Sequence, residues 1–545
     1  MIENTGPNFV SDKTQIHSAD VIRMLDRYQL TDDTRSIITK ENLLTAGLLS
    51  RLHSAYPDHS GIMVTTGFLF RYKTHYSGLK GFGEIVDILQ KNEIEIGHIK
   101  ERELFIKVYR FLATKHVLNA INWNNFAEDS IFQLVFPQPG MINAATVEEY
   151  SKAETEQEKE RIVEEYTKKT NPHDGKQKLN KPWFDNDQGE LEIVEGSQHK
   201  YPQCQLIFDK TTQNCFAFCS YCFRHAQVRG DHDMFIQEQI GQVHEYMKLH
   251  TEITDLIITG GDAGYITADR FEKYITPIIE DPALSHIKTV RLGSRALTFH
   301  PELILTSSYN RMLELFRKLN DNGIQLVWMA HFSTPREILN LSTIAAIRRL
   351  RAYGVVIKSQ SPIMNHISLF MDETGKVDVD RSAQNWIDLG NILAMLTIGF
   401  HSMYCARPTG EHHYFTAPLA DINKVFSKVY RSLASINRPS RYISMTSSAG
   451  KISMLGTVEI NGETVFALKF NEGRNMEWLD KVYLVQYDEN ENTIEKLKPH
   501  GTGKHFYEDE LIRIENKLHD ALEIRMSSNG KKNGSRVSED KLIVT

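Results

Sequence analysis

From about Tyr201 onward, short apolar runs alternate with amphipathic stretches that are each long enough for a crossover helix. The runs at 205–209, 255–259, 288–292, 325–330, 355–359 and 401–404 read as strands. Between them, FIQEQIGQVHEYMKLH, DRFEKYITPIIE, SYNRMLELFRKLNDNG and REILNLSTIAAIRRLRAYG repeat apolar residues at helical spacing. Repeated βα units predict an α/β fold whose parallel sheet curves into a partial (βα)6-type barrel, with chemistry at the C-terminal strand ends. Residues 1–145 read as a helical N-terminal region, with amphipathic stretches at 20–28, 40–55 and 99–121. The charge-dense run TVEEYSKAETEQEKERIVEEYTKK predicts a solvated connecting helix, and NPHDGKQKLNKPWF a loop. After Lys451 the pattern becomes β-rich. Asn461-Gly462 between alternating segments predicts a hairpin, KVYLVQY a further strand and 508–525 a helix. The expected organisation is a helical region (1–145), a connector (146–198), the barrel (199–440), a small β-rich segment carrying Lys451 (441–526) and a disordered polar tail (527–545).

Composition narrows the setting. At 545 residues the chain exceeds one compact core and predicts about two to four units. With 41% hydrophobic and 24% charged residues it reads as globular. It has no apolar run approaching the ~20 residues of a membrane helix. The first residues, MIENTGPNFVSDK, lack the basic and apolar regions of a secretory signal, and three of five cysteines are clustered, so a reducing, cytoplasmic location is expected. A net charge of -7 argues against a nucleic-acid partner.

The cluster itself, Cys215, Cys219 and Cys222 in CFAFCSYC, carries the strongest chemical signal. Thiolates at this CxxxCxxC spacing can bind three irons of a [4Fe-4S] cube and leave the fourth open for chemistry. A zinc site is the competing reading, but it needs further ligands, and the nearby Cys204 and His225 form no familiar ligand pair. The other polar motifs also fall at strand ends: GGD after the second strand, GSR after the third, HF after the fourth, QS after the fifth and YCARP after the sixth.

Taken in order, HKYP, CFAFCSYCFR, LIITGGDA, VRLGSR, HFSTPREI, QSP, YCARPTGEHHYFTAP and SSAGK resemble the lysine 2,3-aminomutase family of radical S-adenosylmethionine (SAM) enzymes, over roughly residues 199–487. The resemblance implies a 2,3-aminomutase, an isomerase, that moves an amino group from the α- to the β-carbon of a small amino acid. Its cofactors would be a [4Fe-4S] cluster, S-adenosyl-L-methionine and pyridoxal 5'-phosphate (PLP), which carry the difficult chemistry. It also implies an external electron donor such as flavodoxin or ferredoxin, and a homo-oligomer. By position in the motifs, Cys215, Cys219 and Cys222 would hold the cluster. Gly260, Gly261 and Asp262 would present exposed backbone to the methionyl part of SAM, and Tyr201, His331 and Gln360 would line the cofactor cavity. Lys451 matches the lysine that anchors PLP, a role needing an uncharged amine favoured by burial. Arg224 matches the arginine that grips the substrate α-carboxylate.

Two departures bear on the substrate. The family holds a lysine ammonium with two aspartates, and Arg407 and Ser444 stand at those positions. An arginine there repels an ammonium and suits a side-chain carboxylate, so glutamate or another acidic or neutral amino acid is expected instead of lysine. Alternatively Arg407 faces outward or pairs with Glu411. Lys200 and Cys204 stand where the family has more arginine, SSAG replaces its glycine-rich run before the PLP lysine, and its terminal cysteine-rich segment is absent. Serine hydroxyls and backbone amides of SSAG are candidates for binding the phosphate. Two other readings stay open: radical SAM chemistry on another amine or a peptide- or protein-bound residue, and a non-catalytic protein holding zinc or a sensing cluster.

Overall fold

The computed structural model describes residues 16–64, 68–170, 179–186, 188–189, 191–229, 235–501 and 503–528. An 11-stranded mixed sheet organises it, with strands following one another across the sheet in chain order. They are β1 (Ser197–Tyr201), β2 (Cys204–Phe208), β3 (Asp255–Thr259), β4 (Thr289–Gly293), β5 (Gln325–Ala330), β6 (Val356–Ile363), β7 (Gly399–Cys405), β8 (Ile443–Thr446), β9 (Gly450–Ile460), β10 (Glu463–Gly473) and β11 (Val482–Gln486). Strands β2 to β8 pair in parallel, and β1 and β9 to β11 are antiparallel flanks. The six expected strands are present, and β8 extends the parallel set by pairing Ser444 with Tyr404.

Crossover helices at Ile240–Leu249, Ala268–Glu280, Asn310–Asp321, Leu341–Ala352, Val379–Met395 and Leu419–Ser432 cover one face. Asn310–Asp321 shows why: Met312, Leu313, Leu315, Phe316 and Leu319 form one buried stripe. The strands alternate to match. Leu256, Ile258, Val290, Leu292, Leu326 and Trp328 are buried, while Asp255, Ile257, Thr289, Arg291, Gln325 and Val327 line a cavity on the opposite face. A strand order readable from apolar runs thus conceals a second, polar face, and that face carries the candidate site.

Several expectations change. The 40–55 stretch is not one helix: Asp32–Lys40 stops at Asn42, whose φ is 50°, and Thr45 caps Ala46–Ala55. The 99–121 stretch is Ile99–Val108, a strand at Leu112–Thr114 paired with His75–Ser77, and Lys115–Ala120. The charged run divides into Ala144–Lys152 and Glu156–Lys169, separated by Thr155, which caps the second helix together with Glu158. Of the expected loop at 171–184, residues 171–178 lie outside the described residues, and Trp183–Asp185 forms a strand with Leu191–Ile193. The hairpin turns at Asn461-Gly462 as expected, and β9 to β11 continue the main sheet. The C-terminal helix reaches Ser528, and the rest of the expected tail lies outside the described residues. No described helix is long and apolar enough to cross a membrane.

Candidate active site

The polar face of the sheet encloses a cavity of about 670 Å³, and Tyr201, Arg224, His331, Gln360, Arg407 and Lys451 all line it. Cys215, Cys219, Cys222, Gly260, Gly261 and Asp262 are not among the residues that line it. Tyr221, which sits between two of the cysteines and does line the cavity, connects the two groups.

The cysteine loop follows β2 and is suspended from the N-terminal region. Phe218 N–H donates to Leu112 O at 2.8 Å and Ser220 N–H to Leu134 O at 2.8 Å. Ser220 Oγ adds a bond to Gln133 O at 2.7 Å. Behind it, the glycine turn after β3 packs against the loop entry. A Cβ at Gly261 would lie 2.6 Å from Asn214 O and 3.0 Å from Cys215 Sγ, and one at Gly260 (φ +144°) would lie 2.4 Å from Thr212 Oγ1. Gly261 and Asp262 donate their amides to Thr212 O at 2.8 and 3.1 Å. The amides of Gly261 and Asp262, expected to face a ligand, thus hold the cysteine loop instead. The Asp262 carboxylate accepts from Gly264 N at 2.8 Å and Arg295 N at 2.9 Å, and burial raises its pKa to about 6.

Burial raises the pKa of all three cysteines, that of Cys222 to about 12, and repulsion from neighbouring thiolates adds to it at Cys215 and Cys222. Among the described residues no three His, Cys, Asp or Glu side chains form a ready metal cage. What fits an iron-sulfur cluster is the donor chemistry: neighbouring thiols whose ionisation only a cationic centre makes favourable. Next to them, Arg295 donates from Nη2 to Tyr221 Oη at 2.9 Å, and Tyr221 Oη stands 3.1 Å from His331 Nε2. Burial, then the Arg295 charge, pushes the His331 pKa well down, so its imidazole is neutral near pH 7.

Arg224 and Arg407 flank Phe223, with guanidinium carbons 5.2 and 5.8 Å from its ring centre. Burial, then the Arg407 charge, lowers the Arg224 pKa to about 10, and burial lowers that of Arg407. Neither has a carboxylate ion pair among the described residues. Glu411 is not the partner of Arg407, because its Oε1 accepts from Tyr109 Oη at 2.7 Å and Tyr166 Oη at 2.8 Å. Ser444 also lines the cavity, on the strand beside Tyr404.

Lys451 lies on β9, opposite Glu472 of β10, and its Nζ is 2.6 Å from Glu472 Oε2 with 33% of the side chain exposed. The expectation of a buried amine is corrected: the side chain is one-third exposed and ion-paired with Glu472. Tyr201 stands close by, its ring 5.9 Å from Lys451 Nζ, and its buried hydroxyl has no hydrogen-bond partner among the described residues. An orphaned hydroxyl beside an amine in a large cavity fits an aromatic carbonyl cofactor such as PLP. In the SSAG turn, Ser447 N donates to Gly450 O at 2.7 Å and Gly450 N to Ser447 Oγ at 3.1 Å. Ser448 N and Oγ donate to Glu495 Oε1 at 2.7 and 3.0 Å. Those amides and hydroxyls are already engaged, against the expectation that they serve a phosphate.

Sequence reasoning missed Tyr221, Arg295, Glu472 and the N-terminal carbonyls that hold the cysteine loop. Glu472 was within reach: stepping outward equally from the Asn461-Gly462 turn puts it opposite Lys451, and two compensating irregularities in the ladder preserve that register. Arg295 lies in the GSR motif, but nothing local shows that it faces the cysteine loop. The N-terminal anchors carry no sequence signal, because they act through backbone.

A parallel-stranded α/β sheet with a CxxxCxxC loop at the end of its first parallel strand is consistent with a radical SAM enzyme. No protein-family model matches the chain. It is 27% identical over 267 residues to an Aquifex aeolicus protein provisionally named an L-lysine 2,3-aminomutase, covering 49% of this chain and 66% of that one. It is 28% identical over 176 residues to the L-lysine 2,3-aminomutase of Clostridium subterminale, covering 32% and 39%. A glutamate 2,3-aminomutase of Clostridioides difficile is 30% identical over 174 residues, covering 31% and 37%. The chain thus spans less than two thirds of the length of each of these relatives. With the ordered motifs, these likenesses support a relationship to the lysine 2,3-aminomutase family.

Proposed function

We propose that the chain is a radical SAM, PLP-dependent 2,3-aminomutase acting on an acidic amino acid, glutamate ahead of aspartate. The observation that carries the substrate is the pair Arg224 and Arg407 on one cavity wall, both without a carboxylate partner among the described residues while Glu411 is held by two tyrosines. Two guanidiniums suit two carboxylates, one on the α-carbon and one on the side chain. The likeness to a glutamate 2,3-aminomutase is consistent with this choice. Ser444, at the other position where the family has an aspartate, adds no acid to attract an ammonium.

In this reading the parallel strands form a partial barrel around the cavity. Cys215, Cys219 and Cys222 would hold the cluster, Lys451 and Tyr201 the PLP, and Gln360 and His331 the walls between them. When bound, these cofactors supply radical generation and stabilisation of the migrating amino group. The protein's residues do the rest. Arg224 and Arg407 fix the substrate at both ends, Phe223 and Phe415 exclude water, and neutral His331 keeps added positive charge away from the cysteine side. The amine of Lys451 becomes available as Glu472 releases it. Electrons would come from an external flavodoxin- or ferredoxin-type donor, and the subunits would assemble as a homo-oligomer.

The test is 5'-deoxyadenosine and β-isomer formation by anaerobically reconstituted protein with SAM, PLP, a reductant and a panel of glutamate, aspartate, lysine, alanine and arginine. Glutamate-stimulated cleavage with β-glutamate formation is the expected result. Cleavage stimulated only by lysine overturns the substrate. Cleavage that no free amino acid stimulates favours a peptide- or protein-bound substrate instead.

A further inference from the structure

Two guanidiniums that grip both ends of one dicarboxylate have to stand a fixed distance apart, and they are not held equally. Arg224 packs against two rings, Phe208 at 4.7 Å and Phe223 at 5.2 Å from its guanidinium carbon. Arg407 packs against Phe223 alone, at 5.8 Å, and its guanidinium makes no hydrogen bond among the described residues. Its place therefore depends on the loop 406–411, which leaves β7. Thr409 N–H donates back to Arg407 O at 2.9 Å and Gly410 takes a φ of +57°, so this loop turns tightly.

Distant segments clasp the turn. Gly410 N–H donates at 3.1 Å to Thr170 O, at the end of the connector helix Glu156–Lys169. Glu411, 4% exposed, accepts on Oε1 from Tyr166 of that helix and from Tyr109 of the N-terminal region. Thr170 O has a second donor, because His225, the residue after Arg224, reaches it from Nε2 at 3.2 Å. One backbone oxygen of the connector thus ties the segment of Arg224 to the loop of Arg407. Tyr109 links them again, its ring edge-on to His225 at 5.1 Å while its hydroxyl holds Glu411. Burial pushes the Glu411 pKa up and the two tyrosine hydroxyls pull it back. Without them its carboxylate keeps only His413, whose Nδ1 is 3.7 Å from Oε2.

We propose that Tyr109, Tyr166 and Glu411, with the Thr170 carbonyl, are positioning residues that set the spacing of Arg224 and Arg407 and so the chain length of the dicarboxylic amino acid they accept. This rests on the substrate reading above. Glutamate and aspartate differ by one methylene, which a rigid pair of guanidiniums distinguishes and a loosened pair does not.

The test uses full-length, anaerobically reconstituted protein with PLP and without SAM, so that binding is read without turnover. Calorimetry gives Kd for glutamate and for aspartate in wild type, Tyr166→Phe, the double variant Tyr109→Phe/Tyr166→Phe and Glu411→Gln, with iron per chain reporting an intact cysteine loop. Wild type should favour glutamate. Removing both hydrogen bonds to the buried carboxylate should weaken glutamate binding roughly tenfold or more in the double variant and aspartate binding less than about threefold, so that the preference collapses. Tyr166→Phe should show a smaller loss of the same kind. Glu411→Gln, whose amide oxygen still accepts from both tyrosines, should keep most of the preference. Equal losses for the two acids, or an unchanged preference in the double variant at normal iron content, overturn the inference. Should the double variant not hold iron, an unchanged preference in Tyr166→Phe overturns it. Wild type that binds both acids alike overturns the inference and leaves the two-guanidinium reading standing, whereas wild type that binds neither overturns both.

Discussion

In the proposed function, Arg407 is the side chain that would separate this chain from a lysine-specific enzyme. Its guanidinium lies beside Arg224 across Phe223, and the acid nearest in sequence, Glu411, is occupied by Tyr109 and Tyr166. Breaking a buried charge pair costs about 2–5 kcal/mol. Arg407→Asp should therefore lower kcat/KM for glutamate by roughly 30-fold or more while the iron content stays unchanged. A loss below threefold would show that Arg407 does not touch the substrate. The position was legible from the motif alignment, but its orientation was not. Whether an arginine faces a cavity or a surface depends on which distant groups already hold the acids around it.

The turn and the strand-end loop form the next unit. Gly260 and Gly261 let the β3 turn approach the cysteine loop to distances that no side chain fits. Gly261→Ala should displace Asn214 and Cys215, and anaerobic reconstitution should recover less than half the wild-type iron per chain. The secondary structure itself should be intact by circular dichroism. Another contact joins the Lys115–Ala120 helix to the turn at Pro301–Leu305: His116 Nδ1 is 3.1 Å from Glu302 Oε1, and His300 Nδ1 is 3.7 Å from Oε2. Burial alone would raise the Glu302 pKa, but the His116 and His300 charges outweigh it and hold it at about 2 against an ordinary 4.5. A depressed carboxylate pKa stabilises the fold above the ordinary value, and that stability is lost as pH falls through the depressed one. The stability difference between wild type and Glu302→Gln should therefore be present at pH 5 and close between about pH 4.5 and 2 in urea unfolding curves. A difference that stays constant over that range would mean the ion pair contributes nothing.

On the scale of the molecule, the N-terminal region is not a separate appendage. Its buried residues belong to the same core as the sheet, and Leu112, Gln133 and Leu134 supply the carbonyls from which the cysteine loop hangs. A chain starting at residue 191 should lose those anchors and fail to incorporate iron, as measured by iron per chain after reconstitution. Full incorporation by that fragment would show that the loop is held by the sheet alone. Nothing in residues 1–145 pointed to this role, since backbone carbonyls are the same for every sequence.

Strand order, crossover helices, the Asn461-Gly462 hairpin and the cysteine spacing were determined by the sequence alone, because each depends on periodicity or spacing within a few tens of residues. Even the Lys451–Glu472 pair follows by counting from that turn. Tertiary structure decided the rest. It turned the alternate strand residues into a polar cavity wall, gave Glu411 to Tyr109 and Tyr166, left Arg224 and Arg407 without a carboxylate ion pair among the described residues, and closed the SSAG turn on its own atoms and Glu495. These outcomes join residues as far as 302 positions apart, such as Tyr109 and Glu411. Local pattern fixes which face a side chain takes, but only the folded chain decides what meets it there.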